Sequence, residues 1–272
     1  MKKTILAASV FAMFSGAAFG SSTMTVKWEH KLLEGRTDRP KFEFGHRMDN
    51  GFKFGFEQVW QYDRSEDKYE SGFAPEQYEL TFKTDYRFRW GDKNEHQAGP
   101  VLDYQLKDTA KNVRVGAFYG YRFTRNFDAK VRARYSQNID RIRLDSYDSN
   151  GNFKPGSDRD DFNKEMRYDL WLTYKWNDWT FVWDAIVLQK ISSFENNSGV
   201  EQHIYDNNER LAMENEFSAE YRLPKARAHA FYGKFKLKQK LSKPSHETSD
   251  SQPYDWAGKR DNAIEFGYKY RF

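Results

Sequence analysis

From Gln77 to Phe88 the chain alternates without a break. Tyr78, Leu80, Phe82, Thr84, Tyr86 and Phe88 fall on one face, and Gln77, Glu79, Thr81, Lys83, Asp85 and Arg87 on the other, which is the two-residue period of a β-strand. The same period recurs along almost the whole sequence. It predicts strands over Thr23 to Lys31, Lys41 to Met48, Phe52 to Tyr62, Gln77 to Phe88, His96 to Leu106 and Val113 to Phe123. Six more follow over Phe127 to Ser136, Met166 to Trp176, Trp179 to Lys190, Glu209 to Arg222, Ala226 to Leu237 and Ala263 to Phe272. Several are long enough to cross a bilayer at a tilt, beyond the usual length of strands in soluble sheets.

The connections alternate in length. Asp49-Asn50-Gly51, Thr124-Arg125-Asn126, Asn177-Asp178 and Leu223-Pro224-Lys225 read as tight turns, with Arg89 to Glu95 somewhat longer. Asp63 to Glu76, Asn138 to Glu165, Ile191 to Asn208 and Lys238 to Asn262 are long polar connections. Twelve apolar faces leave no residues over to cover them as a separate core, so the apolar faces must meet lipid. In hydrocarbon an open sheet edge would leave unpaired backbone groups, each costing several kcal/mol, which forces closure. The fold class expected is therefore all-β: a twelve-stranded antiparallel transmembrane β-barrel with periplasmic termini and long extracellular loops. The final strand supports this reading. Ile264, Phe266, Tyr268, Tyr270 and Phe272 form an unbroken apolar row that ends the chain, similar to the terminal signal read by the barrel assembly machinery.

Composition then becomes intelligible. Aromatic residues make up 18% of the chain, yet the mean hydropathy is −0.97, because the aromatics are spread one to every second position. Trp28, Trp60, Trp90, Trp176 and Trp179 fall near predicted strand ends, where aromatic girdles meet lipid headgroups. Residues 1–20 stand apart. Lys2 and Lys3 precede an apolar run from Ile5 to Phe19, and Ala18 and Gly20 place small residues before a cut ahead of Ser21, the layout of a secretory signal peptide. The expected domains are thus a leader over 1–20 and one barrel over 21–272, with the outer membrane of a Gram-negative bacterium as the destination and its lipid and lipopolysaccharide as surroundings. There are 44 Lys plus Arg and 40 Asp plus Glu, a formal charge of +4 that falls near +2 once Lys2 and Lys3 leave. Such a balance argues against a nucleic-acid partner. With no cysteine, a disulfide framework is excluded.

Alternation also assigns the inward residues. The sixth strand sends Arg114, Gly116, Phe118, Gly120 and Arg122 inward, the seventh Asp128, Lys130, Arg132, Arg134 and Ser136, and the eighth Arg167, Asp169, Trp171, Thr173 and Lys175. Arg114, Arg122, Lys130, Arg132, Arg134, Arg167 and Lys175 together outnumber Asp128 and Asp169, so this sector carries a basic track. Arginine ladders suit carboxylate or sulfate groups and let an anion pass from donor to donor. The competing reading is a structural network in which the arginines pair with acids across a narrow lumen. Gly116 and Gly120 leave room for the arginines in the first reading. Trp171 is an inward ring on which a sugar can stack.

Other chemistry has little support. A lipid-facing serine hydrolase needs a serine, an activating histidine and an orienting partner; Ser218 and His229 are the pair nearest to that pattern, and His203 with Asp206 is a thin hint of an acid–histidine rim. The acids between Asp145 and Asp161 suit solvated loops as well as calcium. Scattered histidines have no metal-ligand spacing, and neither a catalytic residue nor a cofactor is expected.

The opening carries a further signal. Val26-Lys27-Trp28-Glu29-His30-Lys31, Asp38-Arg39, Phe42 to Phe52 with His46-Arg47-Met48-Asp49-Asn50-Gly51, and Glu57-Gln58-Val59-Trp60 resemble the start of the oligogalacturonate-specific porin family. Ala133-Arg134-Tyr135, the turn Trp176 to Trp179 and the closing Phe266 to Phe272 add weaker matches. The resemblance implies a monomeric twelve-stranded channel for acidic oligosaccharides with two facing basic tracks. One is Arg114, Arg122, Arg132, Arg134 and Arg167; candidates for the other are Arg47, Lys83, Arg87, Arg222, Arg227 and Arg271. The chain departs from the family in its long connections at Asn138 to Glu165 and Lys238 to Asn262. A less selective small-solute or anion porin, and a non-conducting structural barrel, stand as alternatives.

Overall fold

In the computed structural model the described residues are 20–32, 37–62, 76–107, 111–139, 164–191, 210–238 and 260–272, together with short strand pieces within 142–159 and 193–202. They form a closed barrel of twelve antiparallel strands. These are β1 Gly20–Lys31, β2 Asp38–Met48, β3 Phe52–Gln61, β4 in two parts Glu76–Tyr86 and Phe88–Trp90, β5 His96–Lys107, β6 Lys111–Arg122, β7 Phe127–Asn138, β8 Lys164–Trp176, β9 Trp179–Lys190, β10 Leu211–Arg222, β11 His229–Leu237 and β12 Ala263–Arg271. Each strand pairs with its neighbours in sequence, and β1 pairs with β12 from Thr23↔Arg271 to Lys31↔Ala263 to close the cylinder. The twelve predicted strands are all present, most with ends displaced by one to three residues. The leader proposed over 1–20 lies outside the described residues except for Gly20, which already pairs with Met48.

Burial is inverted relative to a soluble protein. Val26, Phe82, Leu102, Val131, Phe217 and Phe266 are exposed on the outside, Phe266 at 63%, whereas Glu29, Arg134, Asp169, Lys236 and Glu265 are buried within. Such an outer surface is stable only against hydrocarbon. On the outer face Trp183 Nε1 donates to Asn215 Oδ1 at 3.0 Å, so these two outward polar groups answer each other. Rings gather at the short-turn end, with Trp90 stacked on His96 at 5.4 Å, Trp179 on Phe181 at 6.0 Å and Tyr270 on Phe272 at 5.5 Å. Trp28 stacks with Tyr62 at 6.1 Å toward the opposite end.

Turn chemistry sets the register at the short-turn end. Gly51 takes φ +95° in the three-residue loop after β2, and its N–H donates to Met48 O at 3.0 Å. A side chain there would also strike the Arg87 carbonyl, so glycine is required twice over. Between β4 and β5, the Glu95 carboxylate accepts from Lys93 N at 2.8 Å. That bond and one from its own N–H hold the Glu95 carboxyl below its ordinary range.

Candidate functional site

Because the outer face is apolar, the lumen is where polar chemistry is concentrated, and its two sides differ. Across β10, β11, β12, β1, β2 and β3 the wall is a lattice of lysine and glutamate. Lys41 Nζ donates to Glu29 at 2.7 Å and Glu265 at 2.9 Å, and Lys236 bonds both acids as well. Lys27 joins Glu43 and Glu57, Lys234 joins Glu216 at 2.6 Å, and Lys269 with Arg271 joins Glu220. Tyr232 adds its hydroxyl to Glu265 at 3.0 Å. Every carboxylate in this lattice has a cation beside it, so the lattice of Lys27, Lys41, Lys234, Lys236, Lys269 and Arg271 with Glu29, Glu43, Glu57, Glu216, Glu220 and Glu265 is internally balanced.

Across β6, β7 and β8 arginine predominates and acids are scarce. Arg132 Nε and Arg167 Nε share one carboxylate, Asp169, at 2.9 and 2.7 Å. Arg134 reaches across β6 to Asp103 of β5 at 2.6 Å and is buried. Arg114 bonds a neutral amide, Gln105 Oε1. Lys130 has no carboxylate within ion-pair distance among the described residues; its Nζ sits 4.0 Å from the centre of the Trp171 ring, which Arg132 also covers at 4.6 Å. A cavity of about 500 Å³ opens beside this wall. Arg114, Lys130, Arg132 and Arg134 line it together with Arg47, Lys53, Lys83 and Arg87 from β2 to β4, against Glu43, Glu57, Glu79, Asp85 and Asp103.

The candidates for one basic track therefore separate by height. Arg114, Lys130, Arg132, Arg134 and Arg167 form a patch on the mid-wall. Arg122 and Lys175 lie at the short-turn ends of β6 and β8, with Lys175 3.7 Å from Asp128. The six candidates for a facing track form no single row. Arg47, paired with Asp85 at 2.7 Å, Lys83, 3.3 Å from Glu57, and Arg87 line the same cavity as the arginine wall. Arg222 and Arg271 end β10 and β12. Arg227 is misassigned by the sequence reading: β11 starts at His229, not Ala226, so Arg227 lies in the preceding turn, 75% exposed and 3.8 Å from Asp178 of the next turn. Strand alternation has no meaning for a turn residue, and the inward assignment fails there.

At Gly116 a Cβ would first strike the Ala133 carbonyl oxygen at 2.1 Å and then Arg134 Cα and Cγ at 2.8 Å, so the glycine serves close backbone approach between β6 and β7 as well as the arginine; at Gly120 the neighbour is Gln97 instead. The inward Trp171, whose parity allows a sugar to stack on it, has Lys130 and Arg132 over its ring. Asp103 and Gln105 are the functional partners missed in the sequence, because they sit on β5, outside the sixth to eighth strands. Their inward parity was the available signal.

On the outer surface Ser218 and His229 are not partners. Ser218 lines a lumen cavity, and His229 Nδ1 bonds the Tyr268 hydroxyl. A different pair, Ser22 Oγ and His46 Nδ1, lies 2.8 Å apart, both buried and with no carboxylate at the histidine among the described residues. It ties β1 to β2 as a satisfied buried polar pair. His203 with Asp206 and the acids of 145–161 lie outside the residues whose side chains are described.

Fold and lumen together define a twelve-stranded transmembrane barrel with an arginine-rich wall facing a paired lysine–glutamate lattice. No family model matches the chain, and no curated protein matches it in sequence. Among solved structures it superposes on the NanC porin with TM-score 0.65 at 13% identity, over 91% of this chain and 98% of that one. An outer membrane channel from Pseudomonas putida F1 gives 0.57 at 10% identity, over 93% and 96%. The KdgM porin gives 0.53 at 10% identity, over 91% and 99%. At these identities the likeness is one of fold.

Proposed function

We propose that the chain is an outer-membrane porin that passes small acidic oligosaccharides by diffusion. The observation that carries this reading is the imbalance of the arginine wall. Two carboxylates, Asp103 and Asp169, answer Arg132, Arg134 and Arg167, while Arg114, opposite Asp103 in the sheet, and Lys130 add charge with no carboxylate within ion-pair distance among the described residues. Planar guanidinium groups along a confined wall replace the hydration of a carboxylate with charge-assisted hydrogen bonds, and neighbouring donors let the solute move stepwise. The porins and the channel that share the fold, and the resemblance of the first hairpin, favour the same reading. In it, residues 1–20 are a cleaved leader, the chain is assembled by the barrel assembly machinery and works as a monomer, the termini face the periplasm, and the long connections face outward into lipopolysaccharide.

A second reading is a less selective small-solute porin, favoured by the lysine–glutamate lattice and by the two acids that quench part of the arginine wall. The deciding experiment is single-channel recording of the refolded protein in a planar bilayer. Short uronate oligomers and size-matched neutral oligomers are added in turn. Block or current noise from the acidic sugars alone supports the first reading, equal responses support the second, and folded barrels that never conduct leave the arginines as a structural network.

A further inference from the structure

Six strands run toward the short-turn end, and each carries at or near that end the same tripeptide pattern: an outward ring, an inward cation, an outward apolar group. The six are His46-Arg47-Met48, Tyr86-Arg87-Phe88, Tyr121-Arg122-Phe123, Tyr174-Lys175-Trp176, Tyr221-Arg222-Leu223 and Tyr270-Arg271-Phe272. Uneven spacing hides the repeat in the linear sequence. In the barrel it becomes one position in each hairpin.

Backbone hydrogen bonds place the cations at one level. The N–H of Arg87 donates to Gly51 O at 3.1 Å, that of Arg122 to Glu95 O at 2.9 Å, and that of Lys175 to Asn126 O at 2.8 Å. Arg222 donates to Asp178 O at 2.9 Å, and Arg271 to Ala228 O at 2.8 Å. Each is the last link between the end of a strand and the neighbouring short turn. Arg47 reaches the same level through its guanidinium, which donates to Gly51 O at 2.8 Å. Apart from His46, which is buried against Ser22, the outward members of the tripeptides belong to the aromatic and apolar outer band. The inward member serves nothing in lipid, yet it is cationic in all six.

Acids at this level answer half of the ring. Arg47 pairs with Asp85, Arg271 with Glu220, and Lys175 stands 3.7 Å from Asp128. Arg87, Arg122 and Arg222 have no carboxylate within ion-pair distance among the described residues. Beyond the ring, Arg89, Lys93, Arg125, Lys225 and Arg227 stand against Asp49, Asp92, Glu95 and Asp178, an excess of one positive charge. Most of the excess charge of this mouth therefore resides in the inward ring.

We infer that this ring is an anion filter at the short-turn mouth, distinct from the mid-wall arginines, and that Arg87, Arg122 and Arg222 determine how strongly the channel prefers anions over cations. A ring of fixed like charge concentrates counter-ions in the pore mouth and repels co-ions. Its reach follows the Debye length, about 30 Å at 0.01 M salt and about 3 Å at 1 M, so its effect is large in dilute salt and fades in concentrated salt.

The inference rests on the porin reading, and reversal potentials in a potassium chloride gradient test it separately. The triple variant Arg87→Gln, Arg122→Gln, Arg222→Gln is expected to lower the anion-to-cation permeability ratio about twofold or more in dilute salt. It should reduce the asymmetry of the current–voltage curve and leave uronate block at the mid-wall in place. A control triple, Lys93→Gln, Arg125→Gln, Lys225→Gln, removes the same charge from the turns and should leave the ratio unchanged. Barrel closure of each variant is verified by the electrophoretic shift between unheated and heated samples. A conducting, anion-preferring wild type whose ring variant keeps its ratio overturns the filter alone, as does an equal loss in the control. A folded wild type that does not conduct overturns the porin reading and the filter with it.

Discussion

The two sides of the lumen carry similar densities of charge and use different residues for opposite ends. On the β10 to β3 side, lysines and glutamates alternate across strands so that Glu29 and Glu265 hold Lys41 and Lys236 between them. A lysine ammonium is a compact charge on a flexible stem and settles between two carboxylates. On the β6 to β8 side, arginines share too few acids, and their planar forks remain able to bind a second partner. The comparison teaches that charge content does not separate a strut from a transport path; the ratio of cations to acids at each height does.

The largest effect that breaks this comparison is on stability. Glu265→Gln leaves the buried Lys41 and Lys236 to share Glu29 alone and should cost about 3 kcal/mol, whereas Arg114→Gln, whose partner is the neutral Gln105, should cost about 1 kcal/mol. Urea titration of the refolded barrels measures both, and equal losses would erase the distinction between the walls.

Next in size is the effect on transport. Arg132→Ser with Arg134→Ser should weaken block by uronate oligomers about tenfold, equivalent to about 1.4 kcal/mol, while Lys234→Gln on the opposite wall should leave it nearly unchanged. Single-channel block measured over a range of oligomer concentrations decides this, and matching losses from both walls would refute a path along β6 to β8.

Smallest, and opposite in sign, is Asp169→Asn. It frees Arg132 and Arg167 from their shared carboxylate and should tighten uronate block about twofold. Weaker block in that variant would mean that Asp169 positions the guanidinium groups and that quenching is secondary.

The fold was legible because a barrel in lipid writes its period into every strand. The limits of β9, Trp179 to Lys190, are the same in sequence and structure, since an aromatic girdle and a two-residue turn mark one end of it. β1 was shortened because Gly20, Ser21 and Ser22 carry no apolar signal; their place in the sheet is set by pairing to β2 and by Ser22 bonding Phe272 at 2.8 Å. Within the site, inward parity identified Arg114, Lys130, Arg132, Arg134 and Arg167. It failed at Arg227, where the chain has already left the strand.

The sequence by itself determined what alternates: which side chains face lipid, which face the lumen, and where the hairpins turn, because these depend on neighbours within a few residues. Only the tertiary structure decided which charges answer one another. Arg134 passes over β6 to Asp103, Lys41 finds Glu265 across the seam between β1 and β12, and six distant tripeptides meet at one mouth. Those partners are fixed by strand register and by closure of the barrel, which bring together residues that no local period relates.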